Sequence, residues 1–299
     1  MTYFSSQGRL HPTPPYDFNK SLFFLKLLTP STHDQVLTSR SLMKAISIDG
    51  QPIVFCVKGA GEIGSPALTY FLISEQEISE QAKFAVLDRA SFFLSLYDNL
   101  DSFYKIGAND DSFNPVIQKL YGYHQVKFLT PFENACWAIL CQRATFHDAK
   151  EMKDKLMLEF GSPTTVRGVN FRAFPEPFQI AYETVSHLTK LLGDEQRAAC
   201  IQYIARSFDR IEDDFLRNAP YKEVNDWLMG LKGISEWGAN FIMLRGLGRM
   251  DRAPIVDKQL IASAAKLYGE NVYSGISGVA NQYGKWQGYW AHYLKVAVN

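Results

Sequence analysis

Residues 231–258 read LKGISEWGANFIMLRGLGRMDRAPIVDK, and how this stretch is read decides the rest of the chain. Leu231 to Ser235 form a short turn between two segments of helical pattern. Gly233 in that turn can take positive φ without steric cost, as a tight reversal between helices requires. The following helix carries Trp237, Phe241 and Leu244 at i, i+4 and i+7, which is one stripe of its surface. It is expected to stop at Gly246-Leu247-Gly248, where glycine caps well. Asp257 then falls at the N-cap or first turn of another helix. That helix has an apolar face of Leu260, Ile261, Ala264 and Leu267 and ends before Gly269.

The first amides of a helix lack intrahelical acceptors, and the helix dipole adds positive potential there. Gly233, Ser235 and Trp237 are therefore candidate main-chain ligands for an anion such as a phosphate. The same physics favours the charged form of a carboxylate at Asp257, even beside a buried ligand. Each feature also has a plain structural reading: an ordinary helix connection, an apolar core stripe, a capping aspartate. The late cluster Tyr283-Gly284-Lys285-Trp286-Gln287-Gly288-Tyr289-Trp290 is equally two-sided. Its rings either fill a core or wall a pocket that stacks a flat ligand.

Working outward, SLMKAISI (41–48), QPIVFCVK (51–58) and ALTYFLI (67–73) read as strands, the first two joined by Asp49-Gly50. LFFLKLL (22–28) fits a strand or a helix. Residues 1–15 read as a loose arm. A helix is expected from Ser79 to about Leu96, with Phe84, Leu87, Ala90, Phe93 and Leu94 on one face. Beyond about residue 99 the strand signals stop. Thr130-Pro131-Phe132-Glu133 is a capping box with proline at the first helical position. Further helices are expected near 147–160, 183–192, 195–207, 221–231 and 284–297. The fold class is α+β: a small antiparallel sheet domain with a packed helix (1–98), then an all-helical region (99–299).

Bulk properties narrow the function classes. No apolar run reaches the roughly 18 residues of a membrane helix. The N-terminus shows no apolar signal segment, so a cytoplasmic location is expected. Cys56, Cys136, Cys141 and Cys200 lack metal-ligand spacing and read as buried thiols. Formal net charge is zero, which argues mildly against nucleic-acid binding unless charge is local. Between Met229 and Arg249 the cations are Lys232, Arg245 and Arg249 against one anion, Glu236. No association signal is visible, and a monomer is expected.

Taken together, these motifs resemble the helix-hairpin-helix DNA glycosylase superfamily, most closely its bacterial 3-methyladenine DNA glycosylase II branch. The hairpin LKGISEWGA resembles that family's L-P-G-[IV]-G-x-x-T-A, and Asp257 stands about twenty residues past it. Ala239 to Gly246 matches the phrase A-N-[YF]-x-x-L-R-G, and the cluster from Trp286 matches an aromatic W-x-x-Y/W pattern. TPFENACWAILCQR (130–143), DNLDSFYKIGANDDSFNPVIQKLYGY (98–123) and Tyr16-Asp17-Phe18 extend the likeness over about 280 residues.

The resemblance implies a hydrolase that flips damaged bases out of double-stranded DNA and cuts their N-glycosyl bond. Alkylated purines would be the substrates, with oxidised or deaminated bases, or DNA binding without catalysis, as alternatives. Asp257 would be the catalytic carboxylate. Trp237, Phe241 and Trp286 would line the base pocket. Amides around Gly233, Ser235 and Trp237 would bind a DNA phosphate, with a monovalent cation at the hairpin carbonyls. No catalytic metal or other cofactor would be needed. Ser235 replaces the family's second hairpin glycine, Gly238 its threonine and Arg143 its second glutamine. Leu192, in the loop expected to wedge into the base stack, has acidic neighbours there. Trp237 occupies the place where strand-nicking members carry lysine, so the enzyme is expected to be monofunctional.

Overall fold

The computed structural model describes residues 3–27 and 34–298, with the side chains of residues 273 and 274 excepted. Strands β1 (Phe4–Leu10), β2 (Gln35–Leu37), β3 (Ser41–Ile48), β4 (Gln51–Gly59) and β5 (Leu68–Ser74) form an antiparallel sheet in the order β1-β5-β4-β3-β2. The Asp49-Gly50 turn joins β3 to β4, with φ of 52° and 80° at its two residues. Two successive positive φ values twist a two-residue hairpin in the same sense as its strands. Register follows from it, running from Ile48 opposite Gln51 to Ser41 opposite Lys58.

Two expectations are corrected in this region, and one open alternative is resolved. Much of the supposed arm is β1, paired with β5 along its length. Its signal was hidden by Gly8, where a Cβ would lie 2.6 Å from the Tyr70 hydroxyl. Segment 22–27 is helical, part of α1 (Phe18–Leu27), and residue 28 lies outside the described residues. Phe18, Leu22 and Leu25 recur at helical spacing and are buried. In α2 (Glu80–Phe93), Ser79 caps the helix as expected, but Phe84 is exposed and Val86 is buried in its place.

The chain continues through α3 (Asp101–Ala108), α4 (Asn114–Leu120), α5 (Pro131–Leu140) and α6 (Phe146–Phe160). A second hairpin then interrupts the expected run of helices: β6 (Pro163–Val166) and β7 (Val169–Arg172). Its turn, Arg167-Gly168, also has two positive φ values, but lacks the usual Asn-Gly or Asp-Gly signature. Val166, Phe171 and Ala173 pack with Ala45 and Val54 of the sheet. Helices α7 (Pro177–Ala181), α8 (Val185–Leu192), α9 (Glu195–Phe208), α10 (Asp213–Asn218), α11 (Tyr221–Met229) and α12 (Glu236–Arg245) follow. Then come α13 (Lys258–Tyr268), α14 (Val272–Gln282), a 3-10 turn (Gly284–Trp286) and α15 (Gln287–Val298).

At the start of α5 the Thr130 side chain accepts from Glu133 N, as half of a capping box does. Glu133 itself turns inward and accepts from Lys153 Nζ at 2.6 Å. The apolar side chains divide into two main cores. One joins the sheet and α1–α4 to the last three helices; the other spans Phe128 to Leu247. Helix α12 contributes to both: Leu244 to the first, Ala239, Ile242 and Met243 to the second. The segment singled out by sequence therefore lies along the seam between them.

Candidate active site

The hairpin has tight packing on its inner side and accessible backbone on its outer side. Gly233 adopts φ 88°, and a Cβ there would come within 2.6 Å of Cys200 Sγ and 3.0 Å of Ile139 Cδ1. Only glycine satisfies both the left-handed backbone and the close approach to α9 and α5. Ile234 is buried, whereas Lys232, Gly233, Ser235, Glu236 and Trp237 are exposed. Gln142 Nε2 donates to Gly233 O at 2.7 Å and so braces the turn.

Ser235 is the N-cap of α12, with extended backbone (φ −85°, ψ 168°), and its hydroxyl accepts from Gly238 N at 3.1 Å. Serine in place of glycine thus fits without strain and replaces backbone freedom with a cap. One of the orphan amides at the helix start is thereby satisfied, and the earlier ones remain for an external anion. The local charge differs from the sequence expectation. Arg249 donates to the carbonyls of Leu216, Arg217 and Ala219 around the end of α10. Arg245 is half-buried at the cavity beside Asp257, and of the three cations counted near the hairpin Lys232 is the exposed one.

Asp257 is the N-cap of α13 and only 8% exposed. Its Oδ1 accepts from Gln259 N at 2.8 Å and Leu260 N at 3.2 Å, and its Oδ2 from Lys295 Nζ at 2.7 Å. Two amides and an ammonium fix the carboxylate's orientation while leaving acceptor capacity on each oxygen.

Beside Asp257 is a cavity of about 50 Å³ lined by residues including Trp237, Phe241, Arg245, Gln125, Pro254 and His292. That is room for a water or two, less than a nucleobase needs. Trp237 and Phe241 lie face to face, ring centroids 5.1 Å apart and planes 8° apart. Trp237 is 37% exposed, so this stack forms a partly solvated wall of the cavity. Gly288 lets α15 close on the site, because a Cβ there would meet Leu244 Cδ2 at 2.5 Å.

The cavity therefore brings together Asp257, Trp237 and Phe241, with Gly233 and Ser235 at the start of the helix that carries the two rings. Trp286 is not among its lining residues. That ring packs near Phe103 and Tyr289, at 6.4 Å and 5.8 Å between centroids. Tyr289 and Trp290 are core residues. Leu192, the weak wedge candidate, is 5% exposed and packed in the second core. Gln125, His292 and Lys295 were not singled out from sequence, and Arg245 was counted there only as a local charge and as part of a matched phrase. No local motif marks the first three, because they come from segments distant from the hairpin in sequence. Burial pushes the His292 imidazole well below the usual histidine value, and Arg245 and Lys295 push the same way. The ring is neutral at pH 7, with Nε2 3.0 Å from the Tyr123 hydroxyl. Among the described residues, no group of three or more His, Cys, Asp and Glu side chains is placed to hold a metal ion.

No family model matches the chain. It is 24% identical over 232 residues to the DNA-3-methyladenine glycosylase of Bacillus subtilis (strain 168), covering 76% of this chain and 77% of that one. Its fold matches the 3-methyladenine DNA-glycosylase of Archaeoglobus fulgidus with a TM-score of 0.77, at 21% identity over 97% of each chain. The apo form of the Clostridium acetobutylicum 8-oxoguanine glycosylase/lyase superposes with a TM-score of 0.70 at 14% identity, covering 100% of this chain and 99% of that one. The chain thus has a distant sequence relationship to one DNA-3-methyladenine glycosylase and shares its fold with solved DNA glycosylases.

Proposed function

We propose that the protein is a monofunctional DNA glycosylase that removes damaged purines, alkylated purines of the 3-methyladenine type among them, by hydrolysis. The observation that carries this reading is a nearly buried, amide-held carboxylate, Asp257, at a cavity walled by the stacked rings of Trp237 and Phe241. The name of the Bacillus subtilis relative supports the alkylated-purine class.

Base excision requires C1′ of the nucleotide to reach the carboxylate, so the base must leave the duplex stack. Flipping costs a few kcal/mol, least at a damaged pair. The amides at the start of α12, around Gly233, Ser235 and Trp237, hold a backbone phosphate near the lesion, and Lys232 adds positive charge. The flipped base parts Trp237 from Phe241 and stacks on them. As the glycosidic bond breaks, the sugar becomes oxocarbenium-like, and the Asp257 carboxylate stabilises that charge. The same group takes the proton of the attacking water. The hairpin is also where a monovalent cation would bind, through carbonyls other than that of Gly233, which Gln142 engages. The enzyme acts as a monomer.

The amine of Lys295 is close to the reacting centre, yet it serves as an ammonium hydrogen-bonded to Asp257. A nucleophilic amine must first lose its proton. Borohydride added during turnover therefore traps no protein–DNA adduct, and an adduct carried by Lys295 would overturn the monofunctional reading. The principal test is Asp257→Asn. It is expected to bind DNA like the parent while losing on the order of 10²-fold or more in base release from methylated duplex, the scale seen when one preorganised electrostatic group is removed. Near-parental release by that variant refutes the assignment.

A further inference from the structure

A second cavity, of about 170 Å³, lies between the sheet and the second core. Its apolar walls are Ile46 of β3, Phe132 in the first turn of α5, Phe174 ahead of α7, Phe208 at the end of α9 and Leu216 of α10. It shares no lining residue with the cavity beside Asp257. An apolar cavity of about 150 Å³ accommodates a benzene ring, so there is room here for a small organic molecule.

One side of this cavity is acidic. Asp34 lines it, is 2% exposed, and accepts from Lys44 Nζ through Oδ2. Its Oδ1 is buried as well and has no hydrogen-bond partner among the described residues. Burial raises the pKa of this carboxyl, but Lys44 and Lys153 outweigh that and keep it ionised. Glu133, also in the lining, accepts from Lys153. Glu176 accepts from the Ser47 hydroxyl and the amides of Asp49 and Gly50, all of them neutral donors. At the rim Arg89 pairs with the exposed Asp213. Arg217 also reaches Asp213, but has its own carboxylate in Asp88. The four lining carboxylates thus face three cations, Lys44, Lys153 and Arg89, which leaves one negative charge in excess.

We infer that this cavity is a binding site for a small organic ammonium ion, a single protonated amine on an apolar body about the size of one ring. The amine donates to Asp34 Oδ1, and the body fills the space between Phe132, Phe208 and Leu216. A buried ionised oxygen without a donor costs free energy, and a charged N–H satisfies it better than a neutral one. The same cation cancels the excess charge. Water meets the oxygen's need but leaves the charge and the apolar walls as they are. Bound there, the ligand touches the sheet side through Asp34 and the second core through the rings. It therefore binds the folded chain alone and raises its melting temperature. The site stands apart from Asp257 and does not depend on what that carboxylate does.

Benzylammonium and benzyl alcohol provide a matched pair of probes, alike in shape and differing in the charge of the donor. Binding of each to the full chain is measured by titration calorimetry at pH 7, with thermal unfolding alongside. Benzylammonium is expected to bind once per chain, to raise the melting temperature, and to bind at least tenfold more tightly than the alcohol, a difference of about 1.4 kcal/mol. Asp34→Asn is expected to abolish that preference. Ile211→Trp fills the cavity from its half-exposed edge with every charge left in place, and is expected to weaken both probes together. It decides the site even if Asp34→Asn does not fold. Equal affinity for the two probes overturns the inference, as does no binding of benzylammonium. Binding that survives Ile211→Trp but is lost in Asp257→Asn places the amine in the other cavity and overturns it too.

Discussion

Two cations with buried nitrogens in this molecule have opposite surroundings. Lys153 on α6 is fully buried and donates to Glu133 at 2.6 Å. Burial alone would depress its ammonium, but Glu133 and Asp34 outweigh that and hold it above the usual lysine value. Arg245 at the end of α12 lies over two aromatic faces and has no ion-pair partner among the described residues. Burial pulls it below the usual arginine value, opposed only by the Tyr123 hydroxyl, and a guanidinium still stays charged. The first cation has its charge compensated by the fold and serves the fold. The second is uncompensated and faces the cavity beside Asp257. A buried charge with a full set of partners is thus structural, and one without partners marks the place where a ligand completes the set.

The sharpest way to break this comparison is to remove each cation in turn. Lys153→Met strands Glu133 in the core and is expected to cost about 3–5 kcal/mol in denaturant unfolding, the typical penalty for halving a buried pair. The double variant Lys153→Met/Glu133→Leu should regain most of that. Arg245→Met removes an unpaired charge at the expense of two cation–π contacts worth roughly 0.5–2 kcal/mol each. It is expected to stay within about 1 kcal/mol of the parent, since desolvation relief offsets those losses. Comparable destabilisation by the two single changes would make Arg245 a structural cation as well.

A smaller effect separates hairpin from cavity. Gly233→Ala forces a Cβ against Cys200 Sγ in a left-handed conformation. It is expected to cost about 1–3 kcal/mol, as overpacking does, and to weaken binding to undamaged duplex as well as to damaged. Arg245→Met should leave that non-specific affinity alone, as measured by fluorescence anisotropy on undamaged DNA. Loss of undamaged-DNA affinity in both variants would mean that hairpin and cavity are one binding unit.

The smallest expected effect is a pH slope. His292 and His124 are both held below the usual histidine value of 6.5, in each case mainly by burial. Below about 6.5 the unfolded chain binds protons at these rings that the folded chain refuses, so stability falls as pH falls through that window. Above it neither state binds them and the contribution is complete. His292→Gln should flatten the decline in melting temperature between pH 6.5 and 5. An unchanged slope would show that His292 is not among the groups setting it.

Much of this architecture was legible in the residues. The Asp49-Gly50 turn set the register of β3 and β4, because two successive positive φ values permit few hairpin geometries. Gly233 announced the reversal before α12 through its backbone freedom, and Asp257 a helix start through capping chemistry, which acts over three or four residues. Expectations failed where the deciding partner was remote. β1 is defined by its pairing with β5, and β6–β7 by packing on the sheet. Trp286 shares the aromatic character of a pocket wall, yet it faces Phe103, and its side of the helix was not readable from composition.

The sequence by itself determined the hairpin, the two stacked rings on one face of α12 and the capped carboxylate that follows, because each depends on interactions within a few residues. Only the tertiary structure decided what surrounds them. Lys295 reaches Asp257 from 38 residues away, and Gln125 comes to Arg245 across more than a hundred residues of chain. Those placements follow from how two cores meet along α12. They depend on the summed burial of many side chains, which no local motif records.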